Sequence, residues 1–342
     1  NAGSERMSAA RRILVVGPSW VGDMVMAQSL FMTLQRQYPG AQIDVLAPQW
    51  SLPILQRMPQ IRQGIAMPLG HGQFGLRTRW QLGRQLAAQG YDQAIVLPGS
   101  LKSALVPWFA GIPVRTGFTG EMRYGLLNDR RRLDKSALPM TVQRFVALGL
   151  SPHPLQAPDI PPPQLVANAD NAVRQLARLG LNTDRPAVAF MPGAEYGPAK
   201  QWPAHHFAQL AKDLIARGQQ VWILGSAKDR AMGDTIAQVV QDVRLHNLCG
   251  QTELGDVVDL LSVCHAAVSN DSGLMHVAAA QGKPMAAIYG SSDPKHTPPL
   301  SPQAHVLYLG LSCSPCFERQ CPLGHTRCLH DIHPDQVLQA LA

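Results

Sequence analysis

No stretch of the 342 residues stays apolar for the roughly 20 positions that a bilayer-spanning helix needs, and the N-terminal region has no secretory apolar segment. A chain without membrane spans, at work in the cytoplasm, is expected. Charge is scarce as well. Asp, Glu, Lys and Arg make up 15% of the chain against 46% hydrophobic residues, which excludes a disordered polyelectrolyte and indicates a well-buried interior. Two nucleotide signatures are missing. In the first glycine-containing turn, GPSWVGD, Gly17 and Gly22 lie five apart with no Lys-Ser/Thr behind them, so the turn is neither G-x-G-x-x-G nor a P-loop. Neither half carries the dinucleotide fingerprint with an acidic residue about twenty positions on, which disfavours a nicotinamide-dependent oxidoreductase. A DNA-binding motif is also lacking, which disfavours a nucleic-acid partner.

The length exceeds the size at which one core usually stops growing, so two domains are expected. Six prolines in SPHPLQAPDIPPPQ, Ser151 to Gln164, read as an extended, stiff linker. The boundary is placed at its end, giving domains over 11–165 and 166–342. Residues Asn1 to Arg6 read as a leader foreign to the natural chain, which would start at Met7. Between Arg11 and Leu165, Lys and Arg outnumber Asp and Glu by 16 to 7, a net of +9, whereas from Val166 onward the balance is 13 to 15. The first half therefore suits an acidic partner: nucleic acid, an anionic membrane surface or a phosphorylated substrate.

Both halves alternate short apolar runs with helical periodicity, the α/β pattern of a doubly wound parallel sheet. In the first, strands are expected at Ile13–Val16, Ile43–Ala47, Gly64–Met67 and Gln93–Leu97, with helices after the GPSWVGD turn, around Trp50–Met58, over Arg79–Gln89 and over Met140–Leu148. Asp23 stands in the turn or the first helical residue, where it is either a cap or a catalytic carboxylate. A Gly-rich basic stretch follows the fourth strand. Its Arg130, Arg131 and Arg132 read as a solvated loop, while Lys102, Arg115 and Arg123 alternate with aromatics and glycines at strand ends, where such sheets bind ligands.

In the second half, Val268 to Ile288 reads strand, tight turn, helix, strand. Asn270 and Asp271 are good N-cap residues, Leu274 to Ala280 is helix-forming, and Gly282 and Pro284 stop the helix. A helix that starts at a strand end aims unpaired N–H groups and its positive dipole end above the sheet, which suits a pyrophosphate. Gly273 permits close approach, and Ser272 and His276 add donors. Lys200, in the loop after the strand Ala187–Met191, falls on the same sheet edge. Near the C-terminus, Cys313, Cys316, Cys321 and Cys328 follow C-x2-C-x4-C-x6-C spacing, with His325, His330 and His333 nearby. A structural zinc is one reading of these thiols, and disulfides or free thiols are the others. A helix from His330 closes the chain.

Four motifs, GPSWVGDMVMAQSL, LKSALVPWFAGIPVRTG with GEMRYGLLND, PGAEYGPAKQWP and NDSGLMHVAAA, resemble those of the ADP-heptose:lipopolysaccharide heptosyltransferases, in wording closest to the heptosyltransferase II branch. The chain departs from the familiar pattern at Gly99 and Gln201. The resemblance implies a GT-B architecture, two Rossmann-like domains facing across a cleft, with ADP-heptose on the C-terminal domain and the acceptor on the N-terminal one. It implies inverting heptose transfer to a heptosyl-Kdo2-lipid A acceptor at the inner-membrane surface, without a cofactor in the chemistry. Asp23 would be the general base. Lys200, Ser272, Gly273 and His276 would hold the diphosphate, and Asp271 would orient the turn and touch the donor. Lys102, Arg115 and Arg123 would meet the phosphorylated acceptor. The alternatives are the heptosyltransferase I branch, whose acceptor lacks heptose, and a GT-B sugar-nucleotide epimerase.

Overall fold

The computed structural model describes residues 10–152 and 157–342. The leader and Met7 lie outside the described residues, as do positions 153–156 of the linker. Contacts divide the chain into two compact units, one of residues 1–19 and 27–161, the other of residues 20–26 and 162–342.

The first unit holds a six-stranded sheet: β1 Arg12–Val16, β2 Gln42–Pro48, β3 Ile61–Met67, β4 Gln93–Val96, β5 Val114–Phe118 and β6 Asp129–Arg131. The order is β3-β2-β1-β4-β5-β6, and every pairing is parallel. Ile13 to Val16 and Ala94 to Val96 are buried on both faces, as a parallel sheet covered by helices requires. Leu14, Val16, Leu46, Tyr91, Val96 and Val106 share one core cluster. A carboxylate also lies in this sheet. Asp44 is fully buried, and it accepts from Arg62 Nε at 2.8 Å, Gln63 Nε2 at 3.1 Å and Tyr91 OH at 2.5 Å. Burial alone would raise its pKa; the hydrogen bonds from Arg62, Tyr91 and Gln63 bring it below the ordinary value.

The second unit repeats the scheme with β7 Ala187–Met191, β8 Gln220–Ile223, β9 Leu245–Asn247, β10 Ala266–Asn270, β11 Met285–Ile288 and β12 Ala304–Leu307, in the order β12-β11-β10-β7-β8-β9. All of these pairings are parallel too. Counted from the first strand of each unit, both sheets run 3-2-1-4-5-6, the doubly wound order. In such sheets ligands bind outside the carboxyl ends of the strands where the winding reverses. The reversal falls between β1 and β4 in one unit and between β7 and β10 in the other.

Three local expectations are corrected. The Gly-rich basic stretch is not a loop throughout, because it contains β5 and β6. Arg131 sits at the end of β6 and binds Asp129 at 2.9 Å, and the ladder partners of these strands outweigh their poor β-propensity. The helix around Trp50–Met58 shrinks to Leu52–Leu55 after a 3₁₀ turn at Gln49–Ser51. The closing helix begins at Pro334, with a short separate turn at Arg327–His330.

Candidate donor and catalytic site

The loop after β7 and the turn after β10 meet at the reversal point of the second sheet. Asn270, the last residue of β10, is fully buried. Its Oδ1 accepts from the Trp202 backbone N–H at 3.0 Å, and its Nδ2 donates to the Pro192 carbonyl at 2.7 Å. One amide thus pins both ends of the PGAEYGPAKQW loop. Lys200 Nζ donates to Asp271 Oδ2 at 2.9 Å, and the same carboxylate oxygen accepts from the Ser292 hydroxyl. Asp271 is almost enclosed, so its charge is balanced inside the turn.

Asn270 and Asp271 were expected to cap the following helix. The cap position is in fact Ser272, extended at φ −152°, and the helix runs Gly273–Ala279. Asn270 and Asp271 cannot cap because their side chains are engaged by the β7 loop. Ser272 makes no capping hydrogen bond with its own helix, which leaves its hydroxyl for another acceptor.

Residues 20–26 group with this unit, and they bring Asp23 with them. A Cβ on Gly22 would stand 2.7 Å from the His276 ring, and one on Gly273 would stand 2.9 Å from Val21 Cβ, so both glycines serve close packing. Asp23, in the first turn of the helix Val21–Gln37, is pushed up to about 6 by burial, with His296 pulling the other way. His276 is pushed down to about 4 by burial, against the pull of Asp271. At neutral pH the pair is therefore an ionised carboxylate and a neutral imidazole with one ring N–H to donate.

The loop after β11 was not anticipated. Ser292, Asp293, His296 and Thr297 join Tyr196, Lys200 and Phe317 around a cavity of about 210 Å³. The signal in the sequence was a polar SSDPKHT segment directly behind the apolar run of β11, at the sheet edge that already held Lys200.

The three basic residues named for the acceptor differ in their surroundings. Arg123 is 1% exposed, and its guanidinium donates to the carbonyls of Pro98, Ser100 and Phe118, so its charge is used in closing this loop. Arg115 donates to Leu126 O and Ile112 O, both at 2.7 Å. Lys102 stands half-buried at the start of a 3₁₀ turn, after β4.

Among the described residues, two sets of side chains of metal-ligating type lie in the second unit. Cys313, Cys316, Cys321 and Cys328 line one cavity of about 20 Å³, all four as free thiols. His205, His206 and His330 have ligand atoms within 4.8 Å of one another, although His206 Nε2 is already 2.7 Å from the His330 carbonyl.

The chain is similar to known proteins over nearly its whole length. The model of glycosyltransferase family 9 (heptosyltransferase) matches residues 79–327. Lipopolysaccharide heptosyltransferase 2 of Escherichia coli (strain K12) is 49% identical over 338 residues, covering 96% of this chain and 97% of that protein. Lipooligosaccharide heptosyltransferase 2 of Haemophilus ducreyi is 46% identical over 345 residues, covering 96% and 98%. The solved structure of E. coli ADP-heptose lps heptosyltransferase II matches with a TM-score of 0.86 at 48% identity, over 96% of this chain and 97% of that one. With this likeness over nearly the full length and two doubly wound parallel sheets of the GT-B kind, the chain belongs to glycosyltransferase family 9, the heptosyltransferases.

Proposed function

We propose that the chain transfers heptose from ADP-heptose to the first heptose of the lipopolysaccharide inner core, on a heptosyl-Kdo2-lipid A acceptor, with inversion at the anomeric carbon. The observation that carries the donor site is the Lys200–Asp271 pair at the reversal point of the second sheet, flanked by Ser272, Gly273 and His276. Asp23 takes the proton of the acceptor hydroxyl as its oxygen attacks the anomeric carbon. The bond from that carbon to the β-phosphate oxygen breaks, and ADP leaves with the electron pair. Lys200, the Ser272 hydroxyl, the backbone N–H groups at Gly273 and the neutral His276 ring meet the charge that grows on the leaving diphosphate. A pKa of about 6 suits Asp23 as a base, being close to the working pH yet mostly ionised there. In this reading no cofactor enters the chemistry, and zinc at the four thiols is structural.

The first unit meets the phosphorylated acceptor in a peripheral contact with the inner membrane. Lys102 approaches the acceptor phosphates directly, while Arg115 and Arg123 hold the loops around it. Support for membrane contact comes from the net charge of +9 over residues 11–165 and from the helix Leu76–Ala87, which exposes Arg77, Trp80 and Arg84 at helical spacing. Trp108 is exposed on the short helix Leu105–Phe109, against which the first helix packs through Gly83.

Incubation with ADP-heptose and two acceptors tests the reading. Transfer to heptosyl-Kdo2-lipid A supports it. Transfer only to Kdo2-lipid A moves the chain to the heptosyltransferase I branch, and sugar interconversion without any acceptor indicates an epimerase.

A further inference from the structure

Two segments touch behind Lys200: its own loop, and the cysteine-rich segment that no step of the transfer employs. The Ala199 N–H donates to the Arg319 carbonyl at 3.1 Å, and a Cβ on Gly197 would stand 2.4 Å from that carbonyl oxygen. The Tyr196 hydroxyl donates to the Phe317 carbonyl. Its ring lies beneath two cations, with Lys200 Nζ at 4.9 Å and the Arg319 guanidinium at 5.3 Å. The Phe317 N–H donates to the Ser291 carbonyl at 2.7 Å, next to the Ser292 that binds Asp271. The loop bearing Lys200 therefore rests on residues 317–319, which lie between Cys316 and Cys321.

All four thiols of that segment line the same small cavity, with Ala199 and Ser291 also in its wall. Cys321 Sγ accepts the Thr326 N–H at 3.4 Å, and the amides of Leu323, Gly324 and His325 act on it as well. N–H groups folded around one sulfur are hydrogen-bond partners for a ligating sulfur. Four cysteine sulfurs in the wall of one cavity are a donor set that suits a soft tetrahedral cation. Phe317, directly after Cys316, and Thr326, between Cys321 and Cys328, adopt left-handed backbone at φ 60° and 45° without being glycine. Something must hold these turns in place.

We propose that Cys313, Cys316, Cys321 and Cys328 bind one zinc ion as four thiolates, and that the resulting knuckle buttresses the Lys200 loop, so that loading the site tightens donor binding. The coupling rests on the donor reading of that loop; the metal site does not. Binding forms four Zn–S bonds and releases to solvent the proton of each cysteine that is still a thiol.

The test uses the full chain, purified without a metal-affinity tag. Zinc is determined by elemental analysis, and ADP affinity by calorimetry, on the protein as isolated, after stripping with a chelator under reducing conditions, and after reloading. About one equivalent of zinc is expected, released by a mercurial thiol reagent in the otherwise unaltered protein. The Cys316→Ser/Cys321→Ser variant should lose the zinc, and Cys264→Ala, a buried thiol outside the cluster, should retain it. Stripping should weaken ADP binding by about tenfold, and reloading should restore it, a reversibility that denaturation would not give. Protein isolated without zinc, its thiols free or paired as disulfides, overturns the site. Full zinc with unchanged ADP affinity after stripping overturns the coupling. Full zinc with no ADP binding in any form tells against the donor reading and leaves the site standing.

Discussion

Lys200 and Asp271, 71 residues apart in the chain, form an ion pair at 2.9 Å in which the carboxylate also accepts from Ser292. The pair joins the loops after β7, β10 and β11 at a single point. In the proposed reaction Lys200 would meet the donor diphosphate with its side chain already placed. An ammonium held by one carboxylate keeps donors for a second anion.

Lys200→Ala should therefore lower kcat/KM for ADP-heptose by about 100-fold or more. Because the substitution strands the enclosed Asp271 charge, it should also destabilise the fold. A double-mutant cycle with Asp271→Asn, read by thermal unfolding and by ADP calorimetry, separates the two effects. Additive losses in stability would show that the pair is not coupled.

The pH profile should carry the signature of Asp23. With its carboxyl at about 6, kcat/KM falls with decreasing pH, approaching a factor of ten per unit below that value. His296 pulls the carboxyl downward, so His296→Ala should move this limb to higher pH. A profile flat down to pH 5 would rule out a base with this environment.

The same burial has a cost in stability. The folded pKa of Asp23, about 6, lies above the ordinary aspartate value of 3.8, so the folded state binds more protons between those values and stability falls as pH rises through that window. Asp23→Asn removes an ionisation that the fold resists. It should stabilise the protein at pH 8 by up to about 3 kcal/mol, and the gain should vanish below pH 4. Chemical denaturation at the two pH values checks both the sign and the window.

Much of this architecture is legible in the sequence because parallel strands buried on both faces read as unbroken apolar runs. Ala187 to Met191 is such a run, and it is β7 to the residue. The adjacency of Lys200 to the Asp271 turn follows from the winding order alone. β5 and β6 escape notice, since their arginines and glycine are tolerated only through ladder partners distant in sequence. The cap moves from Asn270 to Ser272 because Asn270 is bound by residues 68 and 78 positions away. Arg123 looks like a surface cation until three carbonyls are folded around it. The raised pKa of Asp23 is a matter of burial, which a turn motif does not encode.

Membrane contact should depend on the aromatic and basic face of the helix Leu76–Ala87. Replacing Trp80 and Trp108 by Ala, with Arg77 and Arg84 by Gln, should abolish sedimentation with anionic phospholipid vesicles and leave ADP affinity unchanged. The binding of the unaltered chain should fall steeply with salt. Equal sedimentation of the variant, or of the unaltered chain with neutral vesicles, would place the contact elsewhere or remove it.

The most direct measurement is heptose transfer from ADP-heptose to heptosyl-Kdo2-lipid A by the unaltered chain and by Asp23→Ala, with ADP binding followed in parallel. The expected result is turnover by the first, a loss of several orders of magnitude in kcat by the second, and equal ADP affinity in both. Transfer at comparable rates by the two proteins would contradict the role of Asp23 as the base, and no transfer by either would contradict the reaction itself.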